Sequence, residues 1–383
     1  MDSASTKRIP ELDGLRGIAI MLVIGCHYEV FARQLWGLPK FGWVGVDVFF
    51  VLSGFLITSV LLNLRGQEKP FKRFYARRFR RILPPYIAFM VLLYAVSAAL
   101  HDHALYRIRV AAVNVFFLQA FAAFSKTMHQ LKFGKNWHLA HAALGFAFRG
   151  LTGHVSKSGE VLWSLSIEEY FYLVWAPVVL WMKREWVAIT AVTICLGALA
   201  VRWLGFIGFE TYFSIFHRFD APVFGALVAL LLASNLPRSS TNAILAVAGL
   251  AGIATLASVL APMGNVVNME VRGDHIFEVF GVPALSLIAA AVIGFSVTRS
   301  GSNYLFFLRS RALRFLGKIS YTLYLLHGFV YLSFLYFFQP TWVVSLSALF
   351  CAITLSWISW TYLEQPILEG GRRTKEHIPV QRA

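Results

Sequence analysis

Charge is what this sequence has least of. Only 14% of its 383 residues are Asp, Glu, Lys or Arg, while 58% are apolar; an ordinary soluble domain is about 25% charged and about 45–50% apolar. The mean hydropathy is +0.63. That leaves too little polar surface to cover a water-exposed fold, which excludes a soluble globular protein and a disordered chain alike. Cysteine is scarce too. Cys26, Cys195 and Cys351 all sit inside apolar runs and read as small packing residues; no C-x-x-C pair or His/Cys cluster with zinc spacing occurs, so neither a disulfide framework nor a metal site is expected. Acidic residues are also few, 19 against 35 Lys+Arg, for a formal net charge of +16. The basic residues form short clusters between apolar runs, a pattern that points to a membrane rather than to nucleic acid.

What the chain has in abundance is apolar runs of about 20 residues, the length of a membrane-spanning helix. They fall at 12–32, 41–64, 82–100, 163–182, 186–204, 213–233, 243–261, 276–297, 319–338 and 341–363. The expected fold is therefore an all-α integral membrane protein of about ten transmembrane helices. The polar N-terminus lacks a short apolar stretch followed by a small-residue cleavage site, so no cleaved signal peptide is expected. A further stretch, 105–124, carries Arg107, Arg109, Asn114 and Gln119, which weakens it as a span. If it does not cross, 23 of the 35 basic residues fall on one side of the membrane and 10 on the other; if it crosses, the five basic residues of 299–318 move outside, against the positive-inside rule. Both termini are thus expected in the cytoplasm. Residues about 101–162 form a long exterior segment between the third and fourth spans, re-entrant or interfacial, with His101, His103, His129, His138, His141 and Trp137. Such long connections are usually functional. An integral membrane domain over 1–366 is followed by a short basic cytoplasmic tail, 367–383.

Ionisable residues inside spans are costly, and each is a candidate for function. In the first span Arg16 and His27 stand eleven residues apart, three helical turns, so they share a face about 16 Å apart. His27 is either an interior histidine bonding a neighbouring helix or a general base. Asp47, in the second span, is expected near the depth of His27, where a carboxylate can fix the imidazole tautomer; it can also be a polar anchor at the interface. Ser53 and Gly54 suit close helix packing. At the head of the third span Arg77, Arg78, Arg80 and Arg81 serve orientation, phosphate binding, or both. The fourth span opens WSLSIEEYFYL (163–173), with Glu168 and Glu169 also expected at the depth of His27, and with Ser164 and Glu168 on one face. His217, Arg218 and Asp220 read as a self-paired ion cluster, and Tyr321, Tyr324 and His327 as supporting wall residues.

LDGLRGIAI…H (12–27), GVDVFFVLSGFLI (45–57), RRFRRILPPY (77–86), WSLSIEEYFYL (163–173), LGKISYTLYLLH (316–327) and YLEQP (362–366) occur in an order that resembles the acyltransferase-3 family, multi-pass bacterial membrane O-acyltransferases. The resemblance spans residues about 11–366. It implies a bacterial cytoplasmic-membrane enzyme with an acyl-CoA donor, acetyl-CoA first among them, held from the cytoplasm by Arg16, Arg77, Arg78, Arg80 and Arg81. The implied acceptor is a carbohydrate or glycolipid hydroxyl. It further implies His27 in catalysis, with Asp47 or Glu168 orienting it and with Ser53, Trp163, Glu169 and His327 as substrate-contacting or supporting residues. The chain ends about 20 residues after the last span, without the extracytoplasmic hydrolase-like domain of some members, so transfer is expected to be completed by the membrane domain or by a separate partner. A proton-coupled transporter or flippase of a lipid-linked or small-molecule substrate would also use intramembrane Arg16, His27, Asp47, Glu168 and Asp220, but needs no CoA-sized phosphate site. For the topology, Gln67→Cys in intact cells should be shielded from a membrane-impermeant maleimide and His129→Cys labelled by it; the reverse pattern would invert the assignment.

Overall fold

The computed structural model describes residues 9–28, 30–31, 38–99, 162–204, 214–263 and 274–376; the 105–124 stretch, Trp137 and the five histidines of the long segment lie outside them. Among the described residues all regular structure is helical: α1 (Pro10–His27), α2 (Val44–Leu64), α3 (Pro70–Ala99), α4 (Leu162–Trp181), α5 (Arg184–Trp203), α6 (Ile215–Arg218), α7 (Asp220–Leu232), α8 (Arg238–Leu260), α9 (Val282–Thr298), α10 (Arg311–Phe337), α11 (Trp342–Ser359) and α12 (Gln365–Glu376). Short 3₁₀ segments precede α2 and α10, and π turns interrupt the helices at Phe277–Gly281 and Trp360–Glu364. The protein is an all-α integral membrane protein. Among the described residues seven helical stretches are long and apolar enough to cross a bilayer: Phe41–Leu64, Arg184–Trp203, Ile215–Leu232, Arg238–Met263, Phe277–Thr298, Arg311–Phe337 and Trp342–Gly370. The expected spans at 12–32, 82–100 and 163–182 are matched by α1, α3 and α4, and these three carry the charged groups that line the candidate site.

Two helices begin earlier than hydropathy alone suggests. α3 starts at Pro70 and α10 at Arg311, because the basic turns ahead of each apolar run are themselves good helix formers. Ser310 caps α10 by accepting the Leu313 N–H at 3.4 Å, and Thr341 caps α11 by accepting the Val344 N–H at 3.3 Å, each satisfying an orphan donor of a first turn. α1 opens on Pro10, whose fixed φ suits a first turn. Its Glu11 is fully buried and accepts the Gly301 N–H at 2.9 Å, the Ser300 hydroxyl at 2.9 Å and the Arg309 guanidinium at 3.4 Å. This clasp ties the head of α1 to the connection between α9 and α10.

Close packing follows from that placement. A Cβ on Gly17 would strike the Leu313 backbone, and one on Gly317 the carbonyl of Asp13, so α1 and α10 run backbone against backbone. The same holds for α2 and α7, where a Cβ on Gly54 would strike the Pro222 carbonyl and one on Gly225 the Val51 carbonyl. Between lipid-bathed helices such small-residue crossings supply the contact that the hydrophobic effect cannot. Trp175, fully buried on α4, donates its indole N–H to Thr58 of α2 at 2.8 Å.

Charged residues of α6 and α7 pair with other helices. Arg218 bonds Asp47 of α2, both completely buried, and Asp220 binds Arg202 of α5 at 2.5 Å. The ion cluster expected at His217, Arg218 and Asp220 thus reaches partners on α2 and α5, because side chains of neighbouring positions on a helix point in different directions. Removing one member of a buried ion pair costs about 3–5 kcal/mol. Asp47→Ala should therefore lower the thermal midpoint in detergent sharply, and Asp47→Ala with Arg218→Met should recover much of it; a midpoint unchanged in the single variant would contradict a structural ion pair.

Candidate active site

The helices α1, α2, α3, α4 and α10 enclose a pocket with an empty volume of about 750 Å³. Its polar lining comprises Arg16 from α1, Ser53 from α2, Arg78 and Arg81 from α3, Ser164, Glu168 and Tyr172 from α4, and Ser320, Tyr321 and Tyr324 from α10. Phe49, Phe50 and Leu165 supply apolar wall. Three guanidinium groups and a single carboxylate line the pocket. The placement selects among the four clustered arginines. Arg78 and Arg81, three residues apart on one helix face, line the pocket; Arg77 and Arg80 are exposed, which removes them from the expected binding set, because positions one residue to the side turn away from the bundle. Arg78 also stands over the rings of Tyr172 and Phe74, at 5.5 Å and 5.9 Å from their centroids, a cation–π arrangement that fixes the guanidinium plane. Arg16 has Asp13 at 3.9 Å.

Glu168 accepts the Tyr172 hydroxyl at 2.7 Å, and the Tyr172 oxygen lies 2.5 Å from Ser53 Oγ. With Tyr172 donating to the carboxylate, the hydroxyl of Ser53 is linked to Glu168 through one phenol. Gly54 makes the close helix contact, while its neighbour Ser53 turns to the pocket. Tyr172 was not singled out by sequence reasoning, although its position four residues after Glu168 places the two on one helix face. Glu169 stands beside this chain, with Oε1 buried and without a hydrogen-bond partner.

The histidines form a second group. His27 ends α1 and is exposed; its Nδ1 lies 2.7 Å from the Val23 carbonyl oxygen. A carbonyl can only accept, so Nδ1 carries the hydrogen and Nε2 holds the basic lone pair. His327 of α10 repeats the arrangement, with Nδ1 at 2.7 Å from the Tyr324 carbonyl and Nε2 buried with no hydrogen-bond partner. The two imidazoles meet edge-on with centroids 5.0 Å apart. Tyr324 joins this pair to the pocket: its ring lies 5.7 Å from that of His327, and its hydroxyl is 2.6 Å from Ser164 Oγ. Trp163 packs edge-on against Phe50 at 5.9 Å.

Two expected placements change. Asp47 does not serve as the orienting carboxylate: Oδ1 is held by Arg218 and Oδ2 is buried without a hydrogen-bond partner, and the Val23 carbonyl fixes the tautomer of His27 instead. Glu168 belongs with Ser53, Tyr172 and the arginines rather than with His27. Ser164, one turn nearer the start of α4, bonds Tyr324 beside His327. Among the described residues no group of His, Cys, Asp or Glu gathers as a metal site.

A membrane-embedded helical bundle with a basic pocket leading to an imidazole is the class that fold and site define. The acyltransferase-domain profile of the acyltransferase-3 family matches residues 9–361, and the chain belongs to that family. It is similar to the peptidoglycan O-acetyltransferase OatA of Listeria monocytogenes, 28% identical over 387 residues covering 96% of this chain and 57% of the relative. It is also similar to the O-acetyltransferase OatA of Staphylococcus aureus, 25% identical over 401 residues covering 99% and 60%. The chain thus spans about three fifths of the length of these relatives. No solved structure matches it. Tyr172→Phe, which removes the phenol shared by Ser53 and Glu168, should lower acyl transfer by about tenfold or more with little change in thermal midpoint; undiminished transfer would reduce the phenol to packing.

Proposed function

We propose that the protein is a membrane O-acetyltransferase that moves an acyl group from acyl-CoA, entering from the cytoplasm, to a carbohydrate hydroxyl on the far side. Peptidoglycan is the first acceptor to test, given the names of the relatives. The observation that carries the proposal is the composition of the pocket: Arg16, Arg78 and Arg81 facing one carboxylate, in walls that continue through Tyr324 to His327 and His27. Guanidinium groups suit phosphate oxygens, and the length of α1 between Arg16 and His27, about 16 Å, matches a ligand that is anionic at one end and reacts at the other. The topology proposed with it has about ten spans over residues 1–366, both termini and the tail 367–383 in the cytoplasm, and the segment 101–162 outside.

In the transfer step the acceptor hydroxyl gives its proton to Nε2 of His27, its oxygen bonds to the thioester carbonyl carbon, the C–S bond breaks, and the CoA thiolate leaves. A proton then returns from the imidazolium to the thiolate or to solvent. Val23 holds the tautomer that this needs, and a base fixed in place contributes about 10²–10⁴-fold. Direct attack requires no acyl-enzyme, although Ser53, linked through Tyr172 to Glu168, has the partners that such an intermediate would use.

Purified protein and labelled acetyl-CoA test the proposal. His27→Ala should reduce transfer at least about 100-fold and leave CoA binding intact; full activity in that variant would overturn the role. Arg78→Ala and Arg81→Ala should weaken CoA binding, and Arg77→Ala and Arg80→Ala should not. Absence of any CoA binding by the wild-type protein would favour a transporter.

A further inference from the structure

His27 is the last residue of α1, and Tyr28 after it is already extended, with φ −90° and ψ 104°. The final turn of a helix has carbonyls with no following N–H groups and frays readily, so a base placed there needs something to hold it. The hydrogen bond from His27 to the Val23 carbonyl lies within that same turn; it fixes the tautomer but does not tie the turn to the bundle. Near the start of α1 the tie is made by Gly17 and Gly317, which bring α1 and α10 into backbone contact. At the end that carries His27 it is made by Tyr28, a residue with no part in the pocket.

Tyr28 is completely buried. Its hydroxyl donates to the main-chain carbonyl of His327 at 3.3 Å. Its ring stacks on Tyr331, one turn further along α10, with centroids 4.1 Å apart and planes 10° from parallel. Phe31 stacks on Tyr28 at 5.8 Å and meets Trp342 of α11 at 5.2 Å, so the aromatic group joins the end of α1 to two other helices. Residue 327 is thus gripped by two consecutive residues: Tyr28 takes its carbonyl, and the ring of His27 meets its ring edge-on at 5.0 Å between centroids. His327 is a fixed reference for both, being wholly buried with its Nδ1 at 2.7 Å from the Tyr324 carbonyl oxygen. Consecutive Cα atoms are about 3.8 Å apart, so fixing Tyr28 fixes the backbone from which His27 projects.

We infer that Tyr28 is a positioning residue for His27: with its hydroxyl on the His327 carbonyl and its ring on Tyr331, it pins the end of α1 so that the imidazole of His27 is held against that of His327. A stack alone would be served by phenylalanine, and a buried hydroxyl is costly unless it is hydrogen-bonded. Here the hydroxyl is spent on a carbonyl 299 positions away in the chain, on the residue whose ring the base touches. A reacting group must be placed to within a fraction of an ångström, and this bond supplies that precision without adding a charge to the bundle. Tyr28 touches neither donor nor acceptor; it acts through His27. The inference rests on the base proposed above.

Steady-state transfer from labelled acetyl-CoA to a peptidoglycan fragment, with the purified full chain, separates the possibilities. Tyr28→Phe keeps the stack and removes only the bond to His327. It should lower kcat about tenfold and leave the KM for acetyl-CoA unchanged, because Arg16 stands three helical turns from His27. Tyr28→Leu removes the ring as well and should lower kcat about 100-fold, the effect of moving a reacting group by about 1 Å. Added to His27→Ala, Tyr28→Phe should cost nothing further, since it acts only through the imidazole. An unchanged kcat in Tyr28→Phe would overturn the inference. So would a second tenfold loss on top of His27→Ala, or a raised KM for acetyl-CoA, either of which marks a general loosening of the bundle. Full activity in His27→Ala, or no transfer by the wild-type protein, would instead overturn the proposed base or the proposed reaction, and the inference with it.

Discussion

A charge inside a membrane bundle must find its counter-charge in the same dry space, and the arrangement of this protein follows from how its few acidic residues are placed. Asp47 takes Arg218, Asp220 takes Arg202, and Glu11 takes Arg309. These pairs join separate elements, two of them far apart in sequence, so they act as registration pins: breaking one strands a charge where water cannot reach it. The pocket is where basic residues gather: Arg16, Arg78 and Arg81 line it with Glu168 as the one acidic lining residue.

The same economy of polar groups governs the imidazoles. A catalytic histidine is often oriented by a carboxylate, but a further buried anion near His27 would need a cation of its own. Here main-chain carbonyls one turn back in the helix do the work, Val23 for His27 and Tyr324 for His327. A carbonyl fixes the tautomer as firmly as a carboxylate and adds no net charge. The two rings are therefore equivalent in tautomer and different in surroundings, since His327 is wholly buried and His27 is open.

Much of this was legible in the sequence. The apolar runs mark the helices, and the residues gathered in the pocket, Arg16, Ser53, Arg78, Arg81 and Glu168, all stood out as polar intrusions in apolar surroundings. What could not be read is which intrusion meets which. Asp47 and Arg218 are 171 positions apart, and no periodicity reports a contact between separate helices. Depth along a span is legible in sequence only to about one helical turn, too coarse to separate Ser164, which bonds Tyr324, from Glu168, which bonds Tyr172. Helical phase did better once applied: the i, i+3 spacing separates Arg78 and Arg81 from Arg77 and Arg80, and the i, i+4 spacing picks out Tyr172, an aromatic hidden among aromatics. The π turn before Gln365 left no trace in hydropathy, because it changes the direction of side chains and not their polarity.

The neighbours Ser53 and Gly54 carry one further consequence. Gly54 presses α2 against the backbone of α7, and the very next residue supplies a hydroxyl to the pocket. With no side chain between the two helices, α2 has no slack to roll, and the hydroxyl is held as rigidly as the crossing itself. That stretch of the pocket wall is thus a fixed gauge rather than a hinge.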